Sequence, residues 1–456
     1  MAHHALAVPL HTRHQRDVDV PDYQGVEHCD MRLPVTTEMW PKFDGYRLRD
    51  LANDHYDAAS EQLRARIGSK LFVWPNRTMY FFCDVHADAD AWRRSLIASG
   101  GVRWHGPGDN DYELTARGDA ALFVIAGDCF DKGPSNLRLL RAIKLLIDKG
   151  ADVEILAGNH DLRTLVGLAY LGRKEPRFAH LFVRMGKKTM PLFQEIREQY
   201  LEPGDTSELS EHELGALLFP DEAWFQQFPR VAKGLVPDKK IAKELARIRE
   251  KMVELPRKCR QLGMTLGDIH RAAARAAELF LHPSGEFHWY FERMDVVRRW
   301  GSFLLVHAGV DDVTAQLLAR ENVSGVNTWF HRLLADDPFE LYHGPVGNMF
   351  RTKYRDFDHP FTDVGVEHMY EAGLYGIVHG HQNILRGQRV LMREGLLNFE
   401  CDASVDCNTR RIEGLRGLGG AVVVFRPDGV ALGISADYPH VKVFDASRVF
   451  PLLTIA

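Results

Sequence analysis

Residues 155–163 read ILAGNHDLR and contain the clearest strand end in the chain. The mostly apolar run 153–157 predicts a buried strand that stops at Gly158, and a helix is expected to begin just after the turn. Asn159 and His160 then lie at the carboxyl end of a strand, where open α/β sheets place their ligand sites. Polar side chains at such a position indicate a functional site.

Four other apolar strands are followed at once by side chains of the kind that bind metal ions. Carboxylate, imidazole and amide ligands together suit two borderline divalent ions such as Mn, Fe or Zn. Two such ions can clamp a phosphoryl group and lower the pKa of a bridging water, so that hydroxide attacks phosphorus in line. In chain order the five sets are Asp84 and His86, Asp128 and Asp131, Asn159 and His160, His307, and His379 and His381.

The spacing within these sets predicts some individual roles. Asp84 and His86 are two residues apart, so on a strand their side chains would point the same way and chelate one ion. Arg163 lies about one helical turn beyond His160 and can form a fork onto phosphate oxygens. Asp161 is expected to be the N-cap of the helix.

Composition limits the class of protein. With 456 residues, 45% apolar and 26% charged, the chain is typical of a soluble globular protein with one elaborated domain or two. A net charge of -5 argues against nucleic acid as a partner. The sequence contains no run of about 18 apolar residues, so we predict no membrane span. Six cysteines without a CxxC pair, and no secretory signal pattern, favour a cytoplasmic location.

The strand and helix patterns of the sequence divide the chain into three parts. Strand patterns occupy residues 69–171 and 301–456, which we expect to form the catalytic domain, and residues 1–68 form an N-terminal extension. Residues 172–300 read as a helical insertion or cap, which either stabilises the fold or covers the site as a lid. Two basic stretches, 239–251 and 257–271, either attract an anionic substrate or form solvated helix faces.

The order of these motifs resembles that of the calcineurin-like metallophosphoesterase superfamily. The segments 127–134 (GDCFDKGP), 158–163 (GNHDLR) and 306–309 (VHAG) are similar to the phosphoprotein phosphatase branch in particular. The resemblance implies an α/β fold: a metallophosphoesterase-type αββα sandwich, with two mixed sheets flanked by helices, to which the large helical insertion is added. It also implies a phosphoesterase that uses two divalent metal ions, Mn²⁺, Fe²⁺/³⁺ or Zn²⁺.

The resemblance assigns roles to the motif residues. Asp84 and His86 would hold the first metal, Asp128 would bridge the two, and Asn159 would bind the second. The full implied ligand set is Asp84, His86, Asp128, Asn159, His307 and His381.

The same resemblance makes His160 the general acid that protonates the leaving oxygen, paired with Asp131. A neighbouring carboxylate would raise the pKa of His160 and keep it protonated near neutral pH. A further substrate arginine is expected between the last two His motifs, either Arg351, which we favour, or Arg355.

This sequence departs from the family pattern at several positions. Lys132 stands where the phosphatase branch usually has Arg, so it would grip phosphate as a point charge. Cys83 and Ala87 replace glycines beside the first motif. His379 precedes Gly380, so we favour His381 alone as the ligand and His379 as a group behind it. The loop at 400–411 either shapes the site or, as we expect, is solvated.

We expect hydrolysis of phosphate monoesters, on phosphorylated Ser or Thr of a protein or on a small molecule. The alternative is a dinucleoside polyphosphate or other phosphodiester hydrolase, and a nuclease is disfavoured by the acidic balance. A non-catalytic scaffold is disfavoured by the complete set of ligands together with His160 and Asp131.

Overall fold

The fold is taken from a computed structural model, which describes residues 18–40, 65, 72–202, 204, 208–356, 358–448 and 452–454. Most of the predicted N-terminal extension, 1–68, lies outside the described residues. Its described part includes a strand that pairs within the largest sheet, and Trp40, which packs edge-on against Phe399 at 5.7 Å. This part of the chain therefore contributes to the core.

Two sheets form the centre of the molecule. The larger has eight strands in the order β1-β16-β15-β14-β3-β6-β7-β8, and the smaller has five in the order β12-β13-β11-β10-β9. Their bounds are β1 Thr37–Met39, β3 Met79–Phe82, β6 Leu122–Ile125, β7 Asp152–Leu156, β8 Met294–Asp295, β9 Val297–Trp300, β10 Phe303–Val306, β11 Gly376–His379, β12 Arg389–Arg393, β13 Leu396–Glu400, β14 Ala421–Arg426, β15 Val430–Ser435 and β16 Val441–Asp445.

Both sheets mix parallel and antiparallel pairs. Strands β3, β6, β7 and β8 run parallel, as do β10, β11 and β13, whereas β14 to β16 are antiparallel neighbours. Parallel strands carry their carboxyl ends to one edge, so the polar residues that follow β3, β6 and β7 meet there. Two short pairs complete the strands: β2 Phe72–Trp74 with β17 Leu452–Thr454, and β4 Val102–Trp104 with β5 Tyr112–Leu114.

Aromatic side chains fill the space between the two sheets. Phe303 on β10 lies 5.3 Å from Phe425 on β14, and Phe399 on β13 lies 5.1 Å from Phe444 on β16, ring centroid to centroid. All four rings are buried, and such edge-on contacts add to the stabilisation from removing the rings from water. The sheets therefore pack face to face, as predicted.

Helices cover the sheets and form the insertion. The helix Asn136–Asp148 begins after Ser135, whose hydroxyl accepts the Arg138 N–H, and the helix Asn159–Ala169 follows β7 directly. The bounds are α1 Ala89–Ser99, α2 Ala116–Asp119, α3 Asn136–Asp148, α4 Asn159–Ala169, α5 Leu181–Met185, α6 Met190–Tyr200, α7 Glu211–Leu218, α8 Glu222–Ala232, α9 Asp238–Gln261, α10 Leu266–Leu281, α11 His288–Glu292, α12 Asp312–Asp336, α13 Pro338–His343, α14 Val346–Met349, α15 Asp363–Glu371 and α16 Cys407–Glu413, with 3₁₀ turns at Val26–His28, Gly186–Thr189 and Ala446–Arg448.

The insertion is helical from α5 to α11, but it ends earlier than we expected. Strands β8 and β9, within the predicted span 172–300, pair with β7 and β10. Glu195 on α6 ties the insertion to the core, because its carboxylate accepts the Asn136 and Leu137 backbone N–H groups at the start of α3, at 2.9 and 3.0 Å. The division into catalytic domain and insertion remains a prediction.

The α/β sandwich with extra helices confirms the predicted fold class. Among the described residues, no helix is both long enough and apolar enough to cross a membrane.

Candidate active site

The first motif lies in a turn rather than on a strand. β3 ends at Phe82, and both Asp84 and His86 have left-handed backbone angles, with φ of 53° and 47°. The turn is held by the neighbouring loop, since the His86 N–H donates to the Asp128 carbonyl at 2.9 Å. The prediction that strand alternation aligns Asp84 with His86 was therefore wrong. Hydrogen bonds between the two loops bring their side chains together.

The loop after β6 is held by Asp161 at the start of α4. Its carboxylate accepts the backbone N–H groups of Asp128, Cys129 and Gly158 at 2.7, 2.9 and 3.0 Å. The N-cap is Gly158, so the prediction that Asp161 occupies that position was wrong. A Cβ at Gly158 would lie 2.1 Å from the Asp128 nitrogen, so only glycine allows this approach. Asp161 thus joins two of the predicted ligand loops.

One group of potential ligand atoms lies between the two sheets. Asp84, Asp128, His307 and His381 each offer one atom, and these atoms lie within 4.8 Å of one another. His307 Nε2 is 3.5 Å from Asp128 Oδ1, and the backbone N–H of His381 donates to Asp84 Oδ2 at 2.8 Å. A Cβ at Gly380 would come within 2.2 Å of Asp84 Oδ2, so the glycine before His381 is required by packing.

A second group shares Asp128 with the first. It consists of His86, Asp128 and His160, with His86 Nε2 3.7 Å and His160 Nε2 4.0 Å from Asp128 Oδ2. His86 is oriented through its other nitrogen, Nδ1, which lies 3.1 Å from the Phe130 carbonyl. The two oxygens of Asp128 thus face different sets of side chains, as a bridging carboxylate requires.

The donors fit divalent metal ions. His307 Nδ1 lies 2.7 Å from the Ala126 carbonyl, which can only accept a hydrogen bond, so Nδ1 carries the proton of the neutral ring. The lone pair of Nε2 is then available to a metal ion. Nε2 of His307 and Oδ1 of Asn159 are buried and have no hydrogen-bond partner among the described residues. Burial, and then the charge of Asp128, raises the pKa of Asp84 to about 7. Positive charge between these carboxylates would relieve that repulsion.

His160, Asp131 and Arg163 form a buried triad beside this centre. His160 Nδ1 lies 2.8 Å from Asp131 Oδ2, and Arg163 Nη2 contacts Asp131 and lies 2.7 Å from His160 Nδ1. We expected Asp131 to raise the pKa of His160. Instead, burial and then the charge of Arg163 hold that pKa well below its usual value, so the prediction was wrong in direction. Both effects disfavour the charged form of the imidazole.

The other two predicted substrate residues, Lys132 and Arg351, differ in how close their charged groups lie to the ligand groups. Lys132 Nζ is 2.6 Å from His86 Nε2, directly at the second ligand group. Arg351 is held by its neighbours, with Nε donating to the Gly347 carbonyl at 3.1 Å and its guanidinium 4.3 Å from the Tyr342 ring centre. The backbone of Arg351 accepts a hydrogen bond from the ring of His381. Arg351 therefore borders the centre through its backbone.

The structure also describes the two residues whose roles the sequence left open, Arg355 and His379. Arg355 lines the same cavity as Arg351. His379 is fully buried, and its Nδ1 lies 2.9 Å from the Gly380 carbonyl, yet neither of the two ligand groups found among the described residues includes it. Burial lowers the pKa of His379 to about 4, so this side chain is neutral.

The loop at 400–411 is largely buried, so the solvated interpretation was wrong for its central part. Asp402 and Asp406 are almost fully buried, and burial, followed by Asp84, raises the pKa of Asp402 well above its usual value. Asn408 donates to the Lys132 carbonyl at 2.5 Å. This loop therefore supports the residues around the centre. Its Asp-rich sequence gave a weak signal that did not reveal the burial.

Comparison with known proteins finds one family model and distantly similar solved structures. Residues 80–241 match the family model of the calcineurin-like phosphoesterase. No curated protein matches the chain. A cold-active protein tyrosine phosphatase of a psychrophilic Shewanella species is 14% identical, with a TM-score of 0.41 over 79% of each chain. A Saccharomyces cerevisiae Ser/Thr phosphatase similar to human phosphatase PP5 is 11% identical, with a TM-score of 0.38 over 86% of this chain and 89% of that one. Values this low identify no substrate.

Proposed function

We propose that this chain, whose residues 80–241 match the family model of the calcineurin-like phosphoesterase, is a metal-dependent phosphatase that hydrolyses phosphate monoesters. The observation that carries the proposal is the position of Asp128. Its two carboxylate oxygens face two separate groups of buried ligand atoms, so one side chain can serve two divalent ions. A structural ion pair would not require so many imidazoles around one carboxylate.

The ligands we propose come from both sheets. His86, Asp84, Asp128 and Asn159 follow strands of the larger sheet, whereas His307 and His381 follow strands of the smaller. When bound, Mn²⁺, Fe²⁺/³⁺ or Zn²⁺ ions would supply Lewis acidity toward water and a phosphoryl group. The chain's own contribution is to fix the ligand atoms before substrate arrives, through hydrogen bonds to Ala126 and Phe130 and through the close approach at Gly380.

His160 is proposed as the proton donor to the leaving oxygen. Asp131 Oδ2 lies 2.8 Å from Nδ1 and a carboxylate can only accept, so this contact places one proton on Nδ1, and the second proton of the charged ring is on Nε2. Nε2 faces Asp128 and the centre, where a leaving oxygen would receive that proton. The transfer converts the imidazolium into a neutral ring whose remaining proton is on Nδ1, hydrogen-bonded to Asp131, and Nε2 must take up a proton before the next turnover.

Arg163 and Lys132 are proposed to bind the phosphate that is cleaved. Lys132 Nζ lies 2.6 Å from Nε2 of His86, a proposed metal ligand. Arg163 Nη2 lies 2.7 Å from Nδ1 of His160, the proposed acid. Phosphate oxygens would replace these contacts with stronger charge-assisted hydrogen bonds. Arg351, or Arg355 beside it, is proposed to bind a more distant part of the substrate.

The first experiment loads the protein with Mn²⁺ and measures hydrolysis of an aryl phosphate together with metal content. Turnover that requires about two metal ions per chain supports the proposal. A phosphopeptide, a small phosphate monoester and a dinucleoside tetraphosphate then separate the substrate classes. Exclusive cleavage of the dinucleoside tetraphosphate would favour the alternative hydrolase, and an inactive protein that binds no metal would favour a scaffold.

A further inference from the structure

A basic cavity lies where the helical insertion meets the catalytic residues. It has a volume of about 250 Å³ and lies between α4, the end of α5 and one face of α9. Two acids, Glu250 and Glu254, also line it, and Glu254 is paired with Lys187 at 2.6 Å. The cations that line it are Arg163, Arg184, Lys187, Lys188, Arg247 and Lys251.

Arg163 connects this cavity to the catalytic centre. The same guanidinium that lines the cavity contacts Asp131 and lies 2.7 Å from His160 Nδ1. An anion held in the cavity would therefore lie next to a phosphate bound at the centre. The remaining cations of the cavity belong to the insertion and have no part in the ligand set.

Lys251 points its ammonium into a site made by the backbone. Nζ donates to the Arg184 carbonyl at the end of α5, and a Cβ at Gly186 would lie 2.7 Å from that nitrogen. Gly186 has a φ of 69°, so the turn that admits Lys251 depends on glycine in two ways. Burial, and then the charges of Arg163 and Arg184, lowers the pKa of Lys251 to about 7. Like charges are thus concentrated here, and an anion would relieve their repulsion.

A second cavity continues from the first across Arg184 and Arg247. It has a volume of about 440 Å³ and lies between α9 and the segment that carries Arg351. It adds Lys239, Lys240 and Lys243 from the stretch that the sequence marked as basic. Together the two cavities form a positively charged path along α9 that ends beside Arg163.

We propose that this path binds a second phosphate group of the substrate, so that the natural substrate is a small molecule carrying two or more phosphates. The inference rests on the proposed phosphatase activity and adds its substrate class. The catalytic side chains lie deep beneath the insertion, with His160 only 6% exposed. A flexible small molecule can reach that depth more readily than a phosphorylated residue on a folded protein.

The test uses a series of alkanediol bisphosphates of increasing length, each compared with its monophosphate. With Mn²⁺ bound, kcat/KM should be about tenfold higher for one bisphosphate length than for its monophosphate, beyond the statistical factor from two equivalent ends. In Lys251→Ala and in Arg247→Ala the ratio of the two kcat/KM values should fall toward that statistical factor. The Arg247 side chain is 55% exposed, so its truncation has little effect on folding.

Arg260→Ala is the matched control, because Arg260 is exposed on the same helix and lines neither cavity. It should keep the preferred length and the ratio. A bisphosphate advantage no larger than the statistical factor at every length would overturn the second phosphate site while leaving the phosphatase proposal intact.

Failure of the phosphatase proposal would give a different result, in which neither series is hydrolysed. Binding of the corresponding non-hydrolysable bisphosphonates, measured by calorimetry, then decides about the path itself. Length-dependent binding that Lys251→Ala and Arg247→Ala weaken about tenfold, and Arg260→Ala does not, supports the path. Binding that is absent, or equal in all four proteins, overturns it.

Discussion

His160 Nδ1 lies 2.8 Å from Asp131 Oδ2, and both side chains are almost completely buried. The contact fixes the imidazole ring with Nε2 toward Asp128, at 4.0 Å from its Oδ2. This orientation allows two roles for His160, as a proton donor to a leaving oxygen or as a ligand in the second group of donors. A single variant separates the two.

His160→Ala should retain metal and lose turnover mainly for poor leaving groups. If His160 is the acid, kcat for an alkyl phosphate falls by about 10²–10⁴, whereas a nitrophenyl phosphate, which needs no proton, loses far less. Metal content by plasma mass spectrometry and kcat across a leaving-group series measure both effects. His105→Ala, at an exposed histidine, is the control. Loss of a metal ion would instead make His160 a ligand.

Asp128→Asn should lose both metal and activity. The amide removes the charge that the two ligand groups share, and one of its two donor positions becomes an N–H group. We expect fewer than two metal ions per chain and an activity loss of at least about 10³. Asp119→Asn changes an exposed carboxylate in the same region and should behave as wild type. Full metal occupancy in Asp128→Asn would contradict the bridging role.

Asp161→Ala should destabilise the fold and thereby disturb the site. The substitution leaves three buried backbone N–H groups, on Asp128, Cys129 and Gly158, without their acceptor. At about 1–3 kcal/mol for each unsatisfied group, the free energy of unfolding should fall by about 3 kcal/mol or more. Urea denaturation of the metal-free protein measures this loss apart from metal binding. Asp119→Ala serves as the control, and an unchanged midpoint would show that the loops hold without Asp161.

The sequence predicted the sheets, and it predicted that several of the proposed ligands lie close together, because both depend on local patterns. Apolar runs such as 121–126 and 153–157 mark buried strands, and each ligand set follows its strand directly. The predicted ligands Asp84, Asp128, His307 and His381 come together because parallel strands end at a common edge. No long-range information was needed for this part.

What the sequence could not show depends on contacts between distant segments. The left-handed turns at Asp84 and His86 are stabilised by a loop more than 40 residues away, and strand periodicity does not contain that information. The low pKa of His160 results from burial and from Arg163, whose position only the folded chain defines. The basic residues 239–251 have the composition of a solvated helix, and only the packing of α9 brings them beside Arg163.

Glu244→Ala should loosen the insertion, because it removes the partner of a buried arginine. Arg184 Nε lies 2.8 Å from Glu244 Oε1, and both side chains are less than a tenth exposed. Breaking a buried pair at one end costs about 3–5 kcal/mol, whereas Arg184→Met with Glu244→Leu should restore much of it. The buried thiol of Cys259 on α9 reports opening of the insertion through its rate of labelling. Glu222→Ala, at an exposed pair that involves the preceding helix α8, should leave that rate unchanged.

The same ion pair predicts the response of the insertion to acid. Burial raises the pKa of Glu244, but Arg184, followed by His180 and Arg247, outweighs it, so the pKa lies below the usual 4.5. A carboxyl whose pKa is lower in the folded state stabilises fully above its unfolded value, and the stabilisation is lost as the pH falls through the folded value. The labelling rate of Cys259, divided by the rate for the unfolded chain at the same pH, should therefore be low at pH 6 and rise below about pH 4.5. In the Met/Leu double variant this acceleration should be much smaller, and an equal acceleration in both proteins would assign the acid response to other groups.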